Sequence, residues 1–310
     1  MSTKVASLDD VLSQRRGGAT FKEVTVAVPG AHNPEIIGSI GRTMATGFAS
    51  FRLIGDADEI RRIAQKSGLV LSSTEVIDCA DEAESCRLAA EMACAGTADV
   101  LMKGLVQTST FVRSILAPGL GLVPEGGLIS HVALFDLPAY PKLLLLSDAA
   151  IVVAPSIEQR IQIIKNVLPV AHSVGIDQPK VACIAPAEKI SEKVASTGEA
   201  AEIIRRVREG AITGVEIDGP FGLDVAVDPD AAKTKGIGGP VAGDADVILA
   251  PCLDTGNALY KSLSYFGKGR VAGIVSGAKV PVVLTSRADS EEAKYASLRL
   301  AIAGATAVAE

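Results

Sequence analysis

Short runs of β-branched and aliphatic residues alternate along the chain with longer stretches whose apolar positions recur every three to four residues. The first pattern predicts strands and the second predicts amphipathic helices. Strands are expected at Glu23–Val28, Phe51–Ile54, Glu75–Ile77 and Ala98–Met102. Helices are expected at Pro34–Thr46, Asp56–Gln65, Glu82–Ala95 and Thr108–Leu116. Asp56–Gln65 carries charges on one face and Ile60, Ile63 and Ala64 on the other, which suits a helix. Further strands are read at Ile129–Phe135, Lys142–Leu146, Ala150–Val153, Lys180–Ile184, Gly214–Ile217 and Asp246–Ala250. The helices among them are Ile157–Val174, Gly198–Arg208 and Asn257–Leu263. Strands at Ala272–Val275 and Val280–Leu284 and a helix at Ser290–Ala303 close the pattern. Alternation of this kind points to parallel sheets with helices on both faces. The apolar run Leu143–Ala154, cut by Ser147 and Asp148, is too short for a membrane helix and reads as buried strands.

At 310 residues the chain exceeds the size at which one core keeps growing, so two domains are expected. From Ala117 to Glu125 the composition turns to Pro, Gly and Leu, which marks a crossing between them. A hydrophobic fraction of 48% and a mean hydropathy of +0.34 are apolar for a soluble protein, so the core is large. A net charge of −6 and a pI near 5.3 argue against a surface that tracks nucleic-acid phosphates. With no Trp and 4% aromatics, base-stacking platforms are also excluded. The first thirty residues carry Lys4, Asp9, Asp10, Arg15 and Arg16 and show no secretory signal. Five cysteines form no CxxC pair, and three histidines lie far apart. Zinc ligation and a disulfide framework are therefore not expected, and a reducing cytoplasm fits. A chain of this kind handles small partners in a cleft.

In open α/β sheets ligands gather at the carboxyl ends of strands, and four segments place polar groups there. Ala98–Gly104 leads through Lys103 to Thr108, Ser109, Thr110 and Arg113, which suits an anion at a helix start. The same letters fit a Thr/Ser cap with Arg113 on a wet face. Pro281–Asp289 delivers Ser286 and Arg287 to a strand end, where a guanidinium matches phosphate oxygens. Asp289, three residues before Glu292, also reads as a capping box. Asn257 and Lys261 sit four apart on one helical face, open either to a ligand or to solvent. Asp218-Gly219-Pro220 reads as a turn, and Gly236–Gly243 lacks both the Walker lysine and the GxGxxG spacing. His131 follows Ser130 on a strand, where a satisfied core histidine competes with a ligand role.

Taken in order, these strings resemble the phosphate acetyltransferase/phosphate butyryltransferase family over about Val24 to Ala303. The likeness is carried by Asp99–Gly104 with Arg113, Ser130-His131-Val132, Pro141–Leu144 with Asp148-Ala149-Ala150, and Ser196-Thr197 with Glu199-Ala200. It continues through Asp218-Gly219-Pro220, Ala242–Val247, Gly256-Asn257 with Tyr260-Lys261, and Thr285-Ser286-Arg287. The resemblance implies two α/β/α domains with mostly parallel sheets, the second inserted into the first, on an isocitrate/isopropylmalate dehydrogenase-like scaffold. Residues 1–122 and 281–310 would form the first domain and 123–280 the inserted one, with the active site in the cleft between them. It implies the reaction acyl-CoA + phosphate = acyl phosphate + CoA, in the cytoplasm, with no metal and no tightly bound cofactor. Coenzyme A and inorganic phosphate would be the substrates of a homodimer that needs no membrane or nucleic acid.

Carried over by position, the resemblance puts Ser286, Arg287 and Arg113 at the family's polar and phosphate-handling sites. Asp289 and Glu292 are the nearest carboxylates in sequence that could serve as the base, and a capping role competes for both. Lys103, Thr108, Ser109, Thr110, Asn257, Lys261 and His131 are candidates for substrate contact. Acetyl-type members place an aspartate seven residues after the serine, and here that position is Ala293. The spelling Ser286-Arg287-Ala288-Asp289 is closer to butyryl-type members, which favours butyryl or branched short acyl groups. Two other readings use the same scaffold. A hydroxy-acid dehydrogenase would need a carboxylate cluster for a divalent metal, and a non-catalytic relative would bind without turnover.

Overall fold

The computed structural model describes residues 7–13, 23–71, 74–285 and 289–307. An opening helix α1 (Leu8–Ser13) precedes β1 (Val24–Pro29), α2 (Pro34–Met44), β2 (Ala49–Gly55) and α3 (Ala57–Lys66). β3 (Thr74–Asp78), α4 (Glu82–Cys94), β4 (Val100–Met102) and α5 (Thr108–Ile115) follow. Next come β5 (Ser130–Asp136), β6 (Leu144–Ser147), α6 (Ile157–Ser173), β7 (Lys180–Ile184), α7 (Ala195–Arg206) and β8 (Glu216–Phe221). Two short helices, α8 (Leu223–Val227) and α9 (Pro229–Thr234), lead to β9 (Val247–Leu249) and α10 (Leu253–Tyr265). The chain closes with β10 (Arg270–Ser276), β11 (Val282–Val283) and α11 (Glu291–Ala307). Several helix starts are fixed by side chains whose oxygens accept first-turn N–H groups. Asn33, Asp56 and Asp81 do so for α2, α3 and α4, and Ser156 with Gln159 forms a capping box on α6.

Two compact units result. A flanking unit takes Gln14–Leu128 and Ala272–Glu310, and a central unit takes Met1–Ser13 and Ile129–Val271. The divisions thus fall several residues away from 122/123 and 280/281, and α1 belongs to the central unit. Its docking has a clear cause. Leu8 and Val11 are buried, the Leu8 N–H donates to Asp136, and Asp9 forms a two-pronged pair with Arg270. Six residues, with Leu8, Val11 and Leu12 as the apolar positions, are too short a stretch to announce a helix in the sequence.

In the flanking unit the strand order is β3-β2-β1-β4-β11-β10. The first five strands run parallel and β10 runs against β11. Val26, Ala27, Phe51, Leu53, Leu101 and Val282 are fully buried; β4 and β11 are apolar throughout, whereas Thr25 of β1 and Ser50 and Arg52 of β2 interrupt the apolar positions and are partly buried. In the central unit the order is β5-β6-β9-β7-β8, all parallel except β5. Phe135, Leu146, Phe221, Val225 and Ile248 anchor its core. No helix among the described residues is long and apolar enough to cross a membrane.

Two local expectations fail for physical reasons, and two short helices go unannounced. Ala150–Val153 forms no strand, because the Asp148 carboxylate gathers the N–H groups of Ala150, Ile151 and Val152 into a tight turn. Asp218-Gly219-Pro220 is not a free turn but lies within β8, where Gly219 approaches the Cys183 carbonyl too closely for a side chain. α8 and α9 are too short to register as periodic segments.

Candidate active site

Because β1, β4 and β11 are parallel neighbours, their carboxyl ends open on one edge of the flanking sheet. The chain leaving β4 is stitched to both neighbours there. The Lys103 N–H donates to the Val283 carbonyl at 2.9 Å, Gly104 N–H to Pro29 at 3.0 Å, and Leu105 N–H to Gly30 at 2.7 Å. A Cβ at Gly104 would lie 2.3 Å from the Gly30 oxygen, so only glycine fits.

The turn then enters α5, whose N-cap residue Gln107 makes no capping bond. The first-turn N–H groups of a helix have no partner within it, and here no side chain among the described residues supplies one. Thr108 and Ser109 are exposed and Thr110 is partly buried beside them. Arg113 sits in the last turn of the same helix, exposed. Among the described residues nothing pairs with it. Other surface arginines of this unit behave differently: Arg42 pairs with Glu292, Arg62 with Glu59, and Arg87 with Glu84 and Glu91. Lys103 is 5% exposed, and its ammonium turns inward to the carbonyls of Gly104 and Val106.

Ser286 and Arg287 lie outside the described residues. Just beyond them, Asp289 is partly buried and its carbonyl accepts from the Lys294 ammonium, which also meets Glu35. Lys294 is itself 4% exposed, and sequence reading passed over it because it falls inside an ordinary helical pattern. Ser290 caps α11 by accepting the Ala293 N–H, and Glu292 turns to Arg42. His32 lies just past β1, after Gly30 and Ala31. Its Nδ1 is buried, with no hydrogen-bond partner among the described residues, close against Gly55.

The remaining candidates belong to the central unit. His131 is 5% exposed on β5 and packs edge-on against Tyr260, with ring centres 5.8 Å apart. Asn257, on α10, donates to the Ala149 carbonyl at 3.1 Å. Lys261 is exposed, its ammonium 5.3 Å from the Tyr260 ring centre. A Cβ on Gly256 would meet the Asp148 oxygen at 2.0 Å. Gly256 and Asn257 therefore lock α10 onto the Asp148 turn at the carboxyl ends of β6 and β9. Cys252, the N-cap residue of α10, has its thiol held below the ordinary range by hydrogen bonds from Thr255.

The opposite, amino edge of this sheet is also charged. The Lys142 ammonium meets Asp244 at 2.7 Å and Asp246 at 2.6 Å, and Lys180 meets Asp244 at 2.6 Å. Burial pushes the Asp244 carboxyl up, but the two ammonium groups outweigh it and hold the carboxyl below its usual range. A hollow of about 340 Å³ beside α7 is lined in part by Arg205, Arg208 and Asp218. Arg205 pairs with Glu209 and Arg208 with Asp218; Asp218 and Gly219 are the residues of the candidate strings that line it.

The family model described as "Phosphate acetyl/butaryl transferase" matches residues 82–302. Phosphate butyryltransferase from Clostridium beijerinckii is 42% identical over 295 residues, 95% of this chain and 96% of that protein. Phosphate acetyltransferase from Thermotoga maritima is 36% identical over 293 residues, covering 94% and 98%. The crystal structure of a branched-chain phosphotransacylase from Enterococcus faecalis V583 superposes with a TM-score of 0.81. It is 34% identical and covers 91% of this chain and 99% of that one.

Proposed function

Since the chain belongs to the phosphate acetyl/butyryl transferase family, we propose that it moves a short acyl group between coenzyme A and inorganic phosphate. The observation that carries this is the matched stretch 82–302, which contains every candidate residue named above. The butyryl and branched-chain relatives, together with the Ser286-Arg287-Ala288-Asp289 spelling, favour butyryl or branched short acyl groups over acetyl.

The chemistry asks for placement and charge. A phosphate oxygen attacks the thioester carbonyl, the C–S bond breaks, and CoA leaves as a thiolate that takes up a proton. Negative charge accumulates throughout. Arg113 is suited to hold the phosphate because no carboxylate among the described residues neutralises it, and the open N–H groups at the start of α5 add to the field. Ser286 and Arg287 are proposed to meet the same charge, Ser286 as a hydrogen-bond donor to the developing oxyanion or the thiol. Asp289 is the proposed base. Lys261 is an exposed cation that the central unit offers to CoA, whereas Asn257 and His131 already face protein groups. We place the reaction in the cytoplasm and the enzyme as a homodimer with no tightly bound cofactor.

The test is to incubate the protein with acetyl-, propionyl-, butyryl- and isobutyryl-CoA and follow free thiol. Release that saturates with phosphate and is fastest for the four-carbon substrates supports the reading. No phosphate-dependent release from any of them rejects it.

A further inference from the structure

Lys103 stands at the carboxyl end of β4 with 5% of its surface exposed. A buried ammonium must find acceptors for its donors or lose much of its hydration energy. Its Nζ donates to the carbonyls of Gly104 and Val106 at 3.1 and 2.9 Å. Both acceptors lie in the turn joining β4 to α5. Nearby Cys86 is fully buried; burial and Glu82 push its thiol up to about 11, while the Lys103 charge pulls the other way.

The rest of that turn is fixed from its N–H side. Gly104 and Leu105 donate to Pro29 and Gly30, and the Gln107 N–H donates to the Glu82 carboxylate at 3.1 Å. Lys103 thus gathers the carbonyls inward while neighbouring strands and α4 take the N–H groups before α5. Among the described residues, no side chain caps the next N–H groups in sequence, those of Thr108, Ser109 and Thr110.

We infer that Lys103 is a positioning residue for the phosphate-binding end of α5, setting the 104–107 turn and through it the placement of Thr108–Thr110 and Arg113. It does not touch substrate. The inference rests on the acyltransferase reading above.

The test compares Lys103→Met and Lys103→Ala with the wild type in thiol release, varying phosphate and butyryl-CoA separately. KM for phosphate rises about 10²-fold in both variants, while KM for butyryl-CoA stays within about twofold. Propylammonium, which replaces the atoms missing in Lys103→Ala, restores the phosphate KM of that variant alone. KM does not depend on how much protein is folded, so poor folding leaves the comparison intact. A wild-type phosphate KM in the surviving active molecules, an equal rise in both KM values, or no amine rescue overturns the inference. An inactive wild type overturns the acyltransferase reading itself, and this inference with it.

Discussion

At the amino edge of the central sheet, Lys142, Lys180, Asp244 and Asp246 form a closed set in which each ammonium faces a carboxylate within 2.7 Å. The Lys180 N–H and the Tyr140 hydroxyl add bonds to Asp246 and to the Ala245 carbonyl. At the carboxyl edge of the flanking sheet, Arg113 has no carboxylate among the described residues and α5 starts without a capping side chain. The first edge satisfies its charges internally, and the second leaves donors open. Charge satisfied within the protein holds elements together; donors left open are available to an anion from outside. The number of charged residues at a strand end therefore says little about function until their partners are known.

The sharpest way to break this comparison is to remove an open donor. Arg113→Met lowers kcat/KM for phosphate by about 10²–10³, the usual loss when a donor to transition-state charge is deleted. Its melting temperature stays at the wild-type value, since no partner is abandoned. Steady-state kinetics and thermal unfolding on the same preparation check both halves. A large stability loss would place Arg113 in the satisfied class.

The converse variant is Lys142→Met. Lys142 and Asp246 are mostly buried, and breaking such a pair costs about 3 kcal/mol. Urea unfolding reads that loss, while kcat/KM per folded molecule is unchanged. The pH dependence follows from Asp244, whose carboxyl is held low in the folded protein. A lowered carboxyl stabilises the fold above the ordinary aspartate value of about 4, and that contribution disappears as pH falls through the lower folded value. The gap between wild type and Lys142→Met accordingly narrows in acid, and a gap that widens there contradicts the pairing.

Gly104→Ala sharpens the comparison from the side of the open edge. The added methyl would lie 2.3 Å from the Gly30 oxygen, and overpacking of this kind costs about 2 kcal/mol. Because the displaced turn carries α5, activity falls together with stability, unlike either earlier variant. The smallest effect belongs to Glu84→Gln, which breaks an exposed pair with Arg87 and leaves melting temperature and turnover where they were.

The alternating pattern carried most of the fold. Lys180–Ile184 has the bounds the structure gives, and strands such as β1 and β2 agree within two residues, because buried parallel strands are mostly apolar and β-branched. What it hid were features decided by side-chain chemistry across the chain. The Asp148 turn replaces a predicted strand because one carboxylate outcompetes a ladder, and α1 is held by Asp136 and Arg270, more than a hundred residues away. The family-like strings were legible, but their tasks were not. Asp99 accepts the Thr25 N–H, Thr197 bonds to the Val194 carbonyl, and Asp244 and Asp246 pair with lysines. These bonds hold the fold. Lys103 looked like a ligand contact because it ends a strand, yet its ammonium points into the turn.

Mass-spectrometric mapping of arginine modification by phenylglyoxal, with and without inorganic phosphate, tests the assignment of open and satisfied charge most directly. Phosphate should slow modification of Arg113 strongly while leaving the paired Arg87 and Arg205 at their unprotected rates. Equal modification of Arg113 in the presence and absence of phosphate would contradict it.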